Sequence, residues 1–468
     1  MGVLLAILPV IAVVACLMLK QSSLRAGVVG LAAAAVIAPT AFALTREVAL
    51  DALSQWWTLV LEVLLIMAGG IIFTEIGRHT GALGQLSDWI RTSLGAGVAP
   101  VLAIVHGVTP FAESVTGFGI GAVIAVPLLS ALGLSGRKAA TIGLLGLCAV
   151  PWGSMGPGTL IAAELGGVGF DELGVASAVA SLPGFIGVGL VAVHLVAEQG
   201  DRRQADLAAV ASALALWAGI LGANIVVGTA PAGALGALIT LTVHLLVNRL
   251  RGNAIRWSRP VLLALVPYGV LLGGVIAVSL VVRAADVGDT PWSFLASPAV
   301  WLFISSMVAT GFHRGTLRAT VHRAFASWIR VGPATGLFMS LGILMAVSGM
   351  SAEIAAWLSS LGPAYSLVAP AIGAVGGFIT GSNTGANAMF AAPQASTVAK
   401  IGIDAVPVLA AHNVAAALLT MLSPTRVELA IRLCPDRPER APVLRTLLTT
   451  NTAIIAVLSI GLFAFTAL

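Results

Sequence analysis

Two polar, glycine-containing stretches, Glu113-Ser-Val-Thr-Gly-Phe-Gly119 and Gly381-Ser-Asn-Thr-Gly-Ala-Asn387, interrupt otherwise apolar sequence at matching places in the two halves of the chain. In lipid, an unpaired backbone amide or carbonyl is costly, so such a break persists at membrane depth only where protein or a water-filled cavity receives the freed groups. Paired breaks in two repeats indicate a substrate site near the middle of the membrane. The two stretches therefore predict a transporter.

The composition is that of a membrane protein. Hydrophobic residues make up 58% of the chain and charged residues only 9%, whereas a soluble globule has about 25% charged residues. The net charge of +5 does not indicate a nucleic-acid partner, because the basic residues lie in short loops between apolar runs. The three cysteines, Cys16, Cys148 and Cys434, have no CxxC spacing, so neither a disulfide framework nor a metal site is predicted, and no cofactor is expected.

Apolar runs of about 16 to 25 residues, the length that crosses a hydrocarbon core of about 30 Å, recur along the chain. The first run lacks a basic segment before it, so we expect a retained span rather than a signal peptide. We predict an all-α polytopic fold with about twelve transmembrane helices, at 2–19, 26–44, 52–73, 138–165, 172–197, 206–228, 231–248, 260–282, 298–312, 331–349, 403–432 and 442–468. Two further stretches, 96–135 and 363–400, each contain two short apolar arms around one polar stretch and are predicted to be hairpins.

The 24 Lys and Arg residues are distributed asymmetrically. When the loops are assigned alternately to the two sides, nearly all of these residues fall on one side. The exceptions are Arg46, Arg283 and Lys400 on the other side and Arg426 within a span. Because Lys and Arg are enriched in cytoplasmic loops, this pattern predicts that the first side is cytoplasmic and that both termini are external, in a bacterial inner membrane.

The order of elements repeats with opposite orientation. Each hairpin follows a short amphipathic segment with a tryptophan, Trp89 or Trp357, and the two hairpins leave from opposite sides. Each is followed by a span that breaks at proline, Pro151-Trp-Gly-Ser-Met-Gly-Pro157 or Leu422-Ser-Pro424. We therefore predict an inverted repeat. Its divisions are 1–200 for the first repeat, 201–259 for a linker of two spans and 260–468 for the second repeat.

Each hairpin arm has about 15 to 18 residues, or about 22 to 27 Å of helix at 1.5 Å per residue, which is just short of a comfortable crossing. Two full crossings joined by a polar turn in water would return the chain to the same side, so the side assignment does not separate the two interpretations. The short arms, the glycine-rich tips and the paired breaks favour re-entrant hairpins.

The hairpin tips carry hydroxyl and amide side chains beside predicted helix N-termini. Helix N-termini present positive partial charge, which suits a carboxylate, and these side chains can donate to an anion or accept from a substrate hydroxyl. They can also simply cap the broken helices. The predicted substrate-binding residues are Ser114, Thr116, Ser382, Asn383, Thr384 and Asn387.

Three ionisable residues are predicted to handle protons. A carboxylate in the hydrocarbon is costly and marks a functional site by default, and burial favours its neutral form, so Glu113 is the main candidate, against the alternative of a carboxylate at a wet loop edge. Glu62 lies in the middle of a span and is either a second proton carrier or a structural partner for a hydroxyl. His412 is either an interior, hydrogen-bonded histidine or a proton shuttle, and His106 is interpreted in the same way.

Arg426 is the one cation well inside a predicted span. It can snorkel toward the cytoplasm, pair with Glu428, or counter a substrate carboxylate. No HExxH, GxSxG, Walker or GxGxxG pattern stands in a fitting context, which argues against an intramembrane enzyme and against an ATP-driven pump.

The motifs around both hairpins resemble those of the L-lactate permease family, which belongs to the wider ion transporter superfamily. The matching stretches are Phe111-Ala-Glu-Ser-Val-Thr-Gly-Phe-Gly119, Pro151-Trp-Gly-Ser-Met-Gly-Pro157, Gly377-Phe-Ile-Thr-Gly-Ser-Asn-Thr-Gly-Ala-Asn387, Gln394-Ala-Ser-Thr397 and Ile401-Gly-Ile403. The resemblance implies inverted hairpins in a mobile transport domain beside a scaffold domain. It also implies that the site is lined by Glu113, Ser114, Thr116, Gly117, Ser382, Asn383 and Thr384.

The resemblance further implies uptake of L-lactate, glycolate or a similar 2-hydroxy monocarboxylate together with protons, by alternating access. A sodium-coupled carrier of the same architecture is the alternative, since carbonyls and hydroxyls at the tips can hold Na⁺. Two alternatives from other functional classes are an anion channel and a membrane-embedded enzyme. The expected partners are a small organic anion, a proton or sodium ion and membrane lipid, with a homodimer left open.

Overall fold

The computed structural model describes residues 2–94, 97–287, 290–311 and 317–467, and within these ranges every regular element is a helix. The predicted boundaries at residues 1, 96, 312 and 468 lie outside the described residues.

The chain forms twenty-one α-helices in the described ranges, in an order that follows the predicted halves. Those of the first half are α1 (Gly2–Met18), α2 (Ser23–Ala41), α3 (Arg46–His79), α4 (Ala82–Ser93), α5 (Val98–Ala103), α6 (Thr109–Thr116), α7 (Ile120–Ala131), α8 (Gly136–Leu145), α9 (Pro157–Gly166) and α10 (Phe170–His194). The middle helices are α11 (Arg202–Val226) and α12 (Thr229–Leu250). Those of the second half are α13 (Arg259–Ala284), α14 (Pro298–Gly311), α15 (Leu317–Val347), α16 (Met350–Leu358), α17 (Tyr365–Thr380), α18 (Asn383–Ile401), α19 (Ala405–Thr420), α20 (Pro424–Leu433) and α21 (Arg440–Thr466).

Within the described ranges, ten helical stretches are long and apolar enough to cross a membrane, and two further pairs bend sharply at a short break. The first pair bends by 69° between Gly136–Met155 and Pro157–Gly166, and the second by 43° between Ala405–Thr420 and Pro424–Leu433. Both bends fall at the predicted proline breaks, where proline removes a backbone donor from the helix. The all-helical, polytopic fold class is confirmed.

Two predicted spans form helices that are shorter than a full crossing. The helix at predicted span 2–19 has 17 residues, and the one at 298–312 has 14. At 1.5 Å per residue, the second reaches about 21 Å. It is preceded by a short 3-10 helix, Pro291–Ala296, which extends the segment without continuing the α-helix.

Both predicted hairpins are present as pairs of packed helices. In the first, α5, a π-helical turn at Ile104–Val108 and α6 form one arm of 19 residues, and α7 forms a second arm of 12 residues. In the second, α17 has 16 residues and α18 has 19. The arms are thus unequal, and the longer ones reach the length of a short span, so re-entrance stays a prediction.

Equivalent helices of the two halves make equivalent contacts. Helix α3 packs along its equivalent, α15. Helix α2 packs on α15 in the same way that α14 packs on α3. Likewise, α1 contacts α16 and α13 contacts α4. The hairpins pack with α8–α12 and α19–α21, and α12 lies against α6. Helix α18 of the second hairpin also packs on α15 and α16. This arrangement places the predicted linker beside the first hairpin, whereas the inverted repeat and the division into a scaffold and a transport domain stay predictions. The repeat boundaries themselves stay a prediction.

Candidate functional site

A pocket of about 360 Å³ lies where the tips of both hairpins meet both bends. The two hairpins and the two bent helix pairs are far apart in sequence, yet each contributes to the same lining. The residues from these elements that line the pocket are Glu113, Gly117, Phe118, Val150, Gly153, Ser154, Pro157, Gly158, Thr380, Gly381, Ser382, Asn383, Thr384, Thr425 and Arg426. The four interruptions therefore form one site.

The tip of the first hairpin is a turn of three consecutive residues in the left-handed region. Gly117, Phe118 and Gly119 have φ angles of 72°, 56° and 81°. This turn directs the free amides at the start of α7 back toward α6. Glu113 Oε1 accepts a hydrogen bond from Gly119 N–H at 3.0 Å, and Oε2 accepts one from Gly121 N–H at 3.2 Å. The carboxylate thus caps the N-terminus of α7, where a negative charge is stabilised by the helix dipole.

Arg426, from the bend in the second half, lies beside this carboxylate. Its Nη1 atom is 3.6 Å from Glu113 Oε1, and both side chains are largely buried, with exposures of 11% and 2%. Nη1 makes no hydrogen bond within the described residues. A buried charge is strongly unfavourable unless it is paired, so the two groups stabilise each other while the guanidinium keeps donors for a bound anion.

The alternative pairing of Arg426 with Glu428 does not occur in the structure. Glu428 instead accepts a hydrogen bond from Arg432 Nε at 2.7 Å, on the exposed side of α20. Arg426 and Glu428 are two residues apart, and side chains with that spacing do not face each other on a helix.

The first bend touches the tips of both hairpins. Ser154 and Met155 have φ angles of 54° and 63°, a conformation that is strained for residues with a side chain and that clusters at functional sites. A Cβ atom added at Gly117 would lie 2.7 Å from Ser154 Cβ, and one added at Gly158 would lie 2.7 Å from Asn383 Nδ2. These two glycines therefore allow a close approach that any larger residue would prevent.

The tip of the second hairpin presents the N-terminus of α18 to the pocket. Ser382 is the N-cap residue, and its Oγ accepts a hydrogen bond from Gly385 N–H at 3.2 Å. Ser382, Asn383 and Thr384 all line the pocket. Free amides and hydroxyls at a helix N-terminus form a ready site for a carboxylate, and here Arg426 lines the same pocket.

Behind this tip, Asn413 of α19 joins four polar groups in a buried network. Its Oδ1 accepts hydrogen bonds from Asn383 Nδ2 and Asn387 Nδ2, each at 2.8 Å. Its Nδ2 donates to Thr159 Oγ1 at 2.9 Å and to Ser177 Oγ at 3.1 Å. One side chain thus links α19 to α18, α9 and α10, and it holds the second tip against the first bend.

Five of the predicted site residues line the pocket: Glu113, Gly117, Ser382, Asn383 and Thr384. Three others lie close by but face elsewhere. Thr116 Oγ1 donates to Ala112 O at 2.5 Å, Ser114 is fully buried against Gly233 of α12, and Asn387 donates to Gly158 O at 2.9 Å as well as to Asn413.

The other two predicted proton-handling residues are not brought to the pocket. His412 is fully buried, and its Nδ1 lies 2.8 Å from Gln394 Nε2, as the interior interpretation expects. Glu62 lines a separate cavity of about 400 Å³, together with Asp171 and Arg283.

Several residues of the site were not predicted from the sequence. No site role was predicted for Phe118, Ser154, Thr159, Ser177 or Asn413. For Phe118 and Ser154, the available signal was their place inside the two quoted breaks. Thr159 and Ser177 carry no local signal, because serine and threonine are common in membrane helices and only the tertiary packing brings these two to Asn413.

These observations first define a class: a polytopic, all-helical membrane protein of the transporter type, in which broken helices and hairpin tips share one polar pocket. The family model described as L-lactate permease matches residues 2–260 and 273–468, and the chain belongs to this family. The resemblance stated from the sequence is confirmed, and the family is one of permeases rather than enzymes.

Individual relatives are similar over different lengths. An L-lactate permease of Streptococcus iniae is 22% identical over 376 residues, which cover 73% of this chain and 79% of that protein. An L-lactate permease of Salmonella typhi is 33% identical over 95 residues, and the match spans 20% of this chain but only 17% of that protein. The glycolate permease GlcA of Escherichia coli K12 is 30% identical over 95 residues, which span 20% of this chain and 17% of that protein.

Among solved structures, the crystal structure of the Alcanivorax borkumensis YdaH transporter aligns with a TM-score of 0.46 and 15% identity. The alignment covers 86% of this chain and 84% of that one.

Proposed function

We propose that this protein is a secondary active transporter that takes up L-lactate, glycolate or a similar small 2-hydroxy monocarboxylate across the bacterial cytoplasmic membrane. The observation that carries the proposal is the meeting of both hairpin tips and both bends in one pocket that contains Arg426 and Glu113. The family membership and the similarity to proteins named lactate and glycolate permeases support the substrate class.

The pocket has the groups that a 2-hydroxy monocarboxylate needs. The substrate carboxylate binds between Arg426 and the amides that begin α18, which together supply charge and directed donors. The 2-hydroxyl group hydrogen-bonds to the side chains of Ser382, Asn383 or Thr384, each of which lines the pocket. A carboxylate with no hydroxyl uses only the first set of contacts, so it binds more weakly.

We further propose that uptake is coupled to protons and that Glu113 carries the proton. In the structure its carboxylate is paired with Arg426. When an anionic substrate binds the Arg426 guanidinium, Glu113 loses its partner and faces a second negative charge, which favours protonation of Glu113.

Substrate and proton then cross together, in an elevator-like movement of the hairpins and their bent helices relative to α1–α3 and α13–α15. Both termini are external in this scheme, and a homodimer through the scaffold helices is compatible with it.

One observation favours sodium as an alternative coupling ion. The buried Oδ1 atoms of Asn383 and Asn387 have no hydrogen-bond partner within the described residues. Amide oxygens are ligands for hard cations, and unpaired ones are unfavourable when buried.

The deciding experiment is uptake of radiolabelled L-lactate into proteoliposomes, with proton and sodium gradients imposed separately. We expect accumulation driven by an inward proton gradient and saturating at carrier rates. Uptake driven by sodium alone would select the alternative ion. Non-saturating flux would indicate a channel, and chemical change of the label would indicate an enzyme. No lactate or glycolate uptake under either gradient would overturn the substrate class.

A further inference from the structure

A second group of ionisable side chains lies away from the pocket, in a largely buried series of hydrogen bonds across four elements. His244 Nε2 of α12 is 2.8 Å from Ser212 Oγ of α11. Ser212 Oγ is 3.0 Å from His106 Nδ1, in the π-helical turn of the first hairpin. His106 Nε2 is 3.0 Å from the carbonyl oxygen of Phe185 in α10.

When both histidines are neutral, the donor and acceptor roles in this series of hydrogen bonds can be assigned in only one way. The Phe185 carbonyl can only accept, so His106 carries its proton on Nε2 and accepts at Nδ1. Ser212 must then donate to His106, which leaves its oxygen to accept from His244 Nε2–H. The Nδ1 atom of His244 therefore carries a free lone pair, and it is the place where this group takes up a further proton.

A cavity of about 580 Å³ contacts the His244 end of this series of hydrogen bonds. Both His244 and Ser212 line it, together with Glu198, Asp201 and Arg251. His106 is fully buried beyond Ser212. The loops that contain Glu198, Asp201 and Arg251 are on the side that the basic residues predict to be cytoplasmic.

The inner end of the chain sits at an irregular point of the first hairpin. The N–H of Thr109 bonds to Ile104 O, a π-helical connection at His106, and single π-turns inside helices occur frequently at functional sites. The His106 ring packs against Gly189 of α10 so closely that a Cβ atom there would lie 2.6 Å from His106 Cε1. This contact holds the arm that leads to Glu113 against α10.

We propose that His244, Ser212 and His106 form a proton-binding site that opens to the cytoplasmic side and controls how tightly the first hairpin arm packs. A proton binds at His244 Nδ1. His244 Nε2 passes its proton to Ser212 Oγ, and Ser212 passes its own hydroxyl proton to His106 Nδ1. The result is a neutral His244 and a cationic His106, with one proton added in total.

The charge balance around the chain explains the effect. On the cavity side, Glu198 and Asp201 favour a proton at His244, and Arg251 opposes it. His194 of α10 and Asp206 of α11 pair with each other at 2.6 Å on the exposed surface and take no part in the chain. Within the described residues, no carboxylate is in contact with the His106 ring. A cationic His106 is therefore unfavourable in its buried position, and it weakens the packing of the first hairpin arm. The inference holds whichever anion is carried.

The test is hydrogen exchange of the purified protein in nanodiscs, followed by mass spectrometry of peptides that contain residues 104–108. Between about pH 7.5 and about pH 4.5, after correction for intrinsic exchange, we expect these amides to become about tenfold less protected in the wild type. His244→Gln and Ser212→Ala should lose this change, and Ser212→Thr, which keeps the hydroxyl, should retain it.

His194→Gln is the matched control, because it removes a histidine of the same region that lies outside the chain, and it should behave as the wild type. The proposal is overturned if the wild type shows no acid-dependent loss of protection, or if His244→Gln shows the same loss as the wild type. Because the readout does not involve transport, a failure of the lactate assay leaves this result unaffected.

Discussion

The most consequential residue contact joins Arg426 to Glu113. The two come from different halves of the chain, and their charged atoms approach within 3.6 Å in a site where both are largely buried. In a low-dielectric site such a pair is stable only while each partner remains. A substrate carboxylate that binds Arg426 therefore changes the surroundings of Glu113 directly, which is the physical link between anion and proton in the proposed mechanism.

Replacing Arg426 with Gln should lower lactate uptake by at least about tenfold, because a hydrogen bond to a charged group contributes about 1.5–3 kcal/mol. Initial rates in proteoliposomes measure the effect. Arg432→Gln is the control, since Arg432 pairs with Glu428 on the exposed side of the same helix. Unchanged uptake by Arg426→Gln would exclude the guanidinium from substrate binding.

Glu113→Gln should abolish proton-driven accumulation, because the amide keeps an acceptor for the start of α7 but cannot carry the proton. Lactate exchange without a gradient should persist at a reduced rate. Accumulation and counterflow in the same vesicles separate the two effects. A variant that still accumulates lactate against its gradient would show that another residue carries the proton.

Cys434 allows a prediction about pH at the connection between α20 and α21. Burial and the nearby Asp436 carboxylate raise the pKa of the Cys434 thiol to about 11. The thiolate is the reactive form, so alkylation by a maleimide should be slow at neutral pH and should rise about tenfold per pH unit up to about pH 11. Denatured protein is the control and should react fast at neutral pH. Rapid labelling of Cys434 itself, identified by peptide mass spectrometry of the folded protein at that pH, would contradict the buried position of its thiol.

At the scale of elements, the structure depends on a few polar side chains that hold broken helices together. Each break frees backbone groups, and both hairpin tips contact the first bend through glycine, as Gly117 does with Ser154 and Gly158 with Asn383. The second tip is then held by Asn413, which makes four side-chain hydrogen bonds to three other helices. These contacts hold α9, α10, α18 and α19 together around the site.

Asn413→Leu should therefore destabilise the protein by about 3 kcal/mol or more, because it leaves buried donors and acceptors of several partners unpaired, each at about 1–3 kcal/mol. Thermal unfolding in detergent provides the measurement. The control is Asn451→Leu in α21, because Asn451 is equally buried but, in the part of the chain that the structure describes, donates only to Leu447 O of its own helix. Equal destabilisation by both changes would argue against the network.

Across the whole molecule, two cavities lie on either side of the first bend. The central pocket extends past Ser23 of α2 and Arg330 of α15, on the side predicted to be cytoplasmic. The cavity with Glu62 and Arg283 lies on the other side, and Pro157 lines both. With the predicted orientation, the central pocket lies toward the cytoplasm and the cavity with Glu62 lies toward the exterior.

Cysteine accessibility tests this arrangement. Thr425→Cys, in the central pocket, should react with a membrane-impermeant maleimide added to inside-out vesicles and should be protected by lactate. Ser293→Cys, which lines the other cavity, should react only in right-side-out vesicles. The reverse pattern would overturn the predicted orientation.

The sequence alone determined the class of fold, the family and the position of the breaks. Long apolar runs can only be membrane helices, because lipid cannot satisfy free backbone groups, and the polar breaks stand out against them. The proline bends after each hairpin were predictable for the same reason, since proline removes a donor wherever it lies inside a helix.

Only the tertiary structure decided which residues meet. It brought Arg426 to Glu113 and Asn413 to Thr159 and Ser177, and it placed Asn387 in the supporting network and Glu62 at a separate cavity. The contacts of Arg426 and of Asn413 with the first half join residues that are more than 200 positions apart. They depend on the rotation and depth of each helix, which hydrophobic runs do not specify. The local pattern specifies where a helix breaks, whereas the packing of the two halves specifies what each break faces.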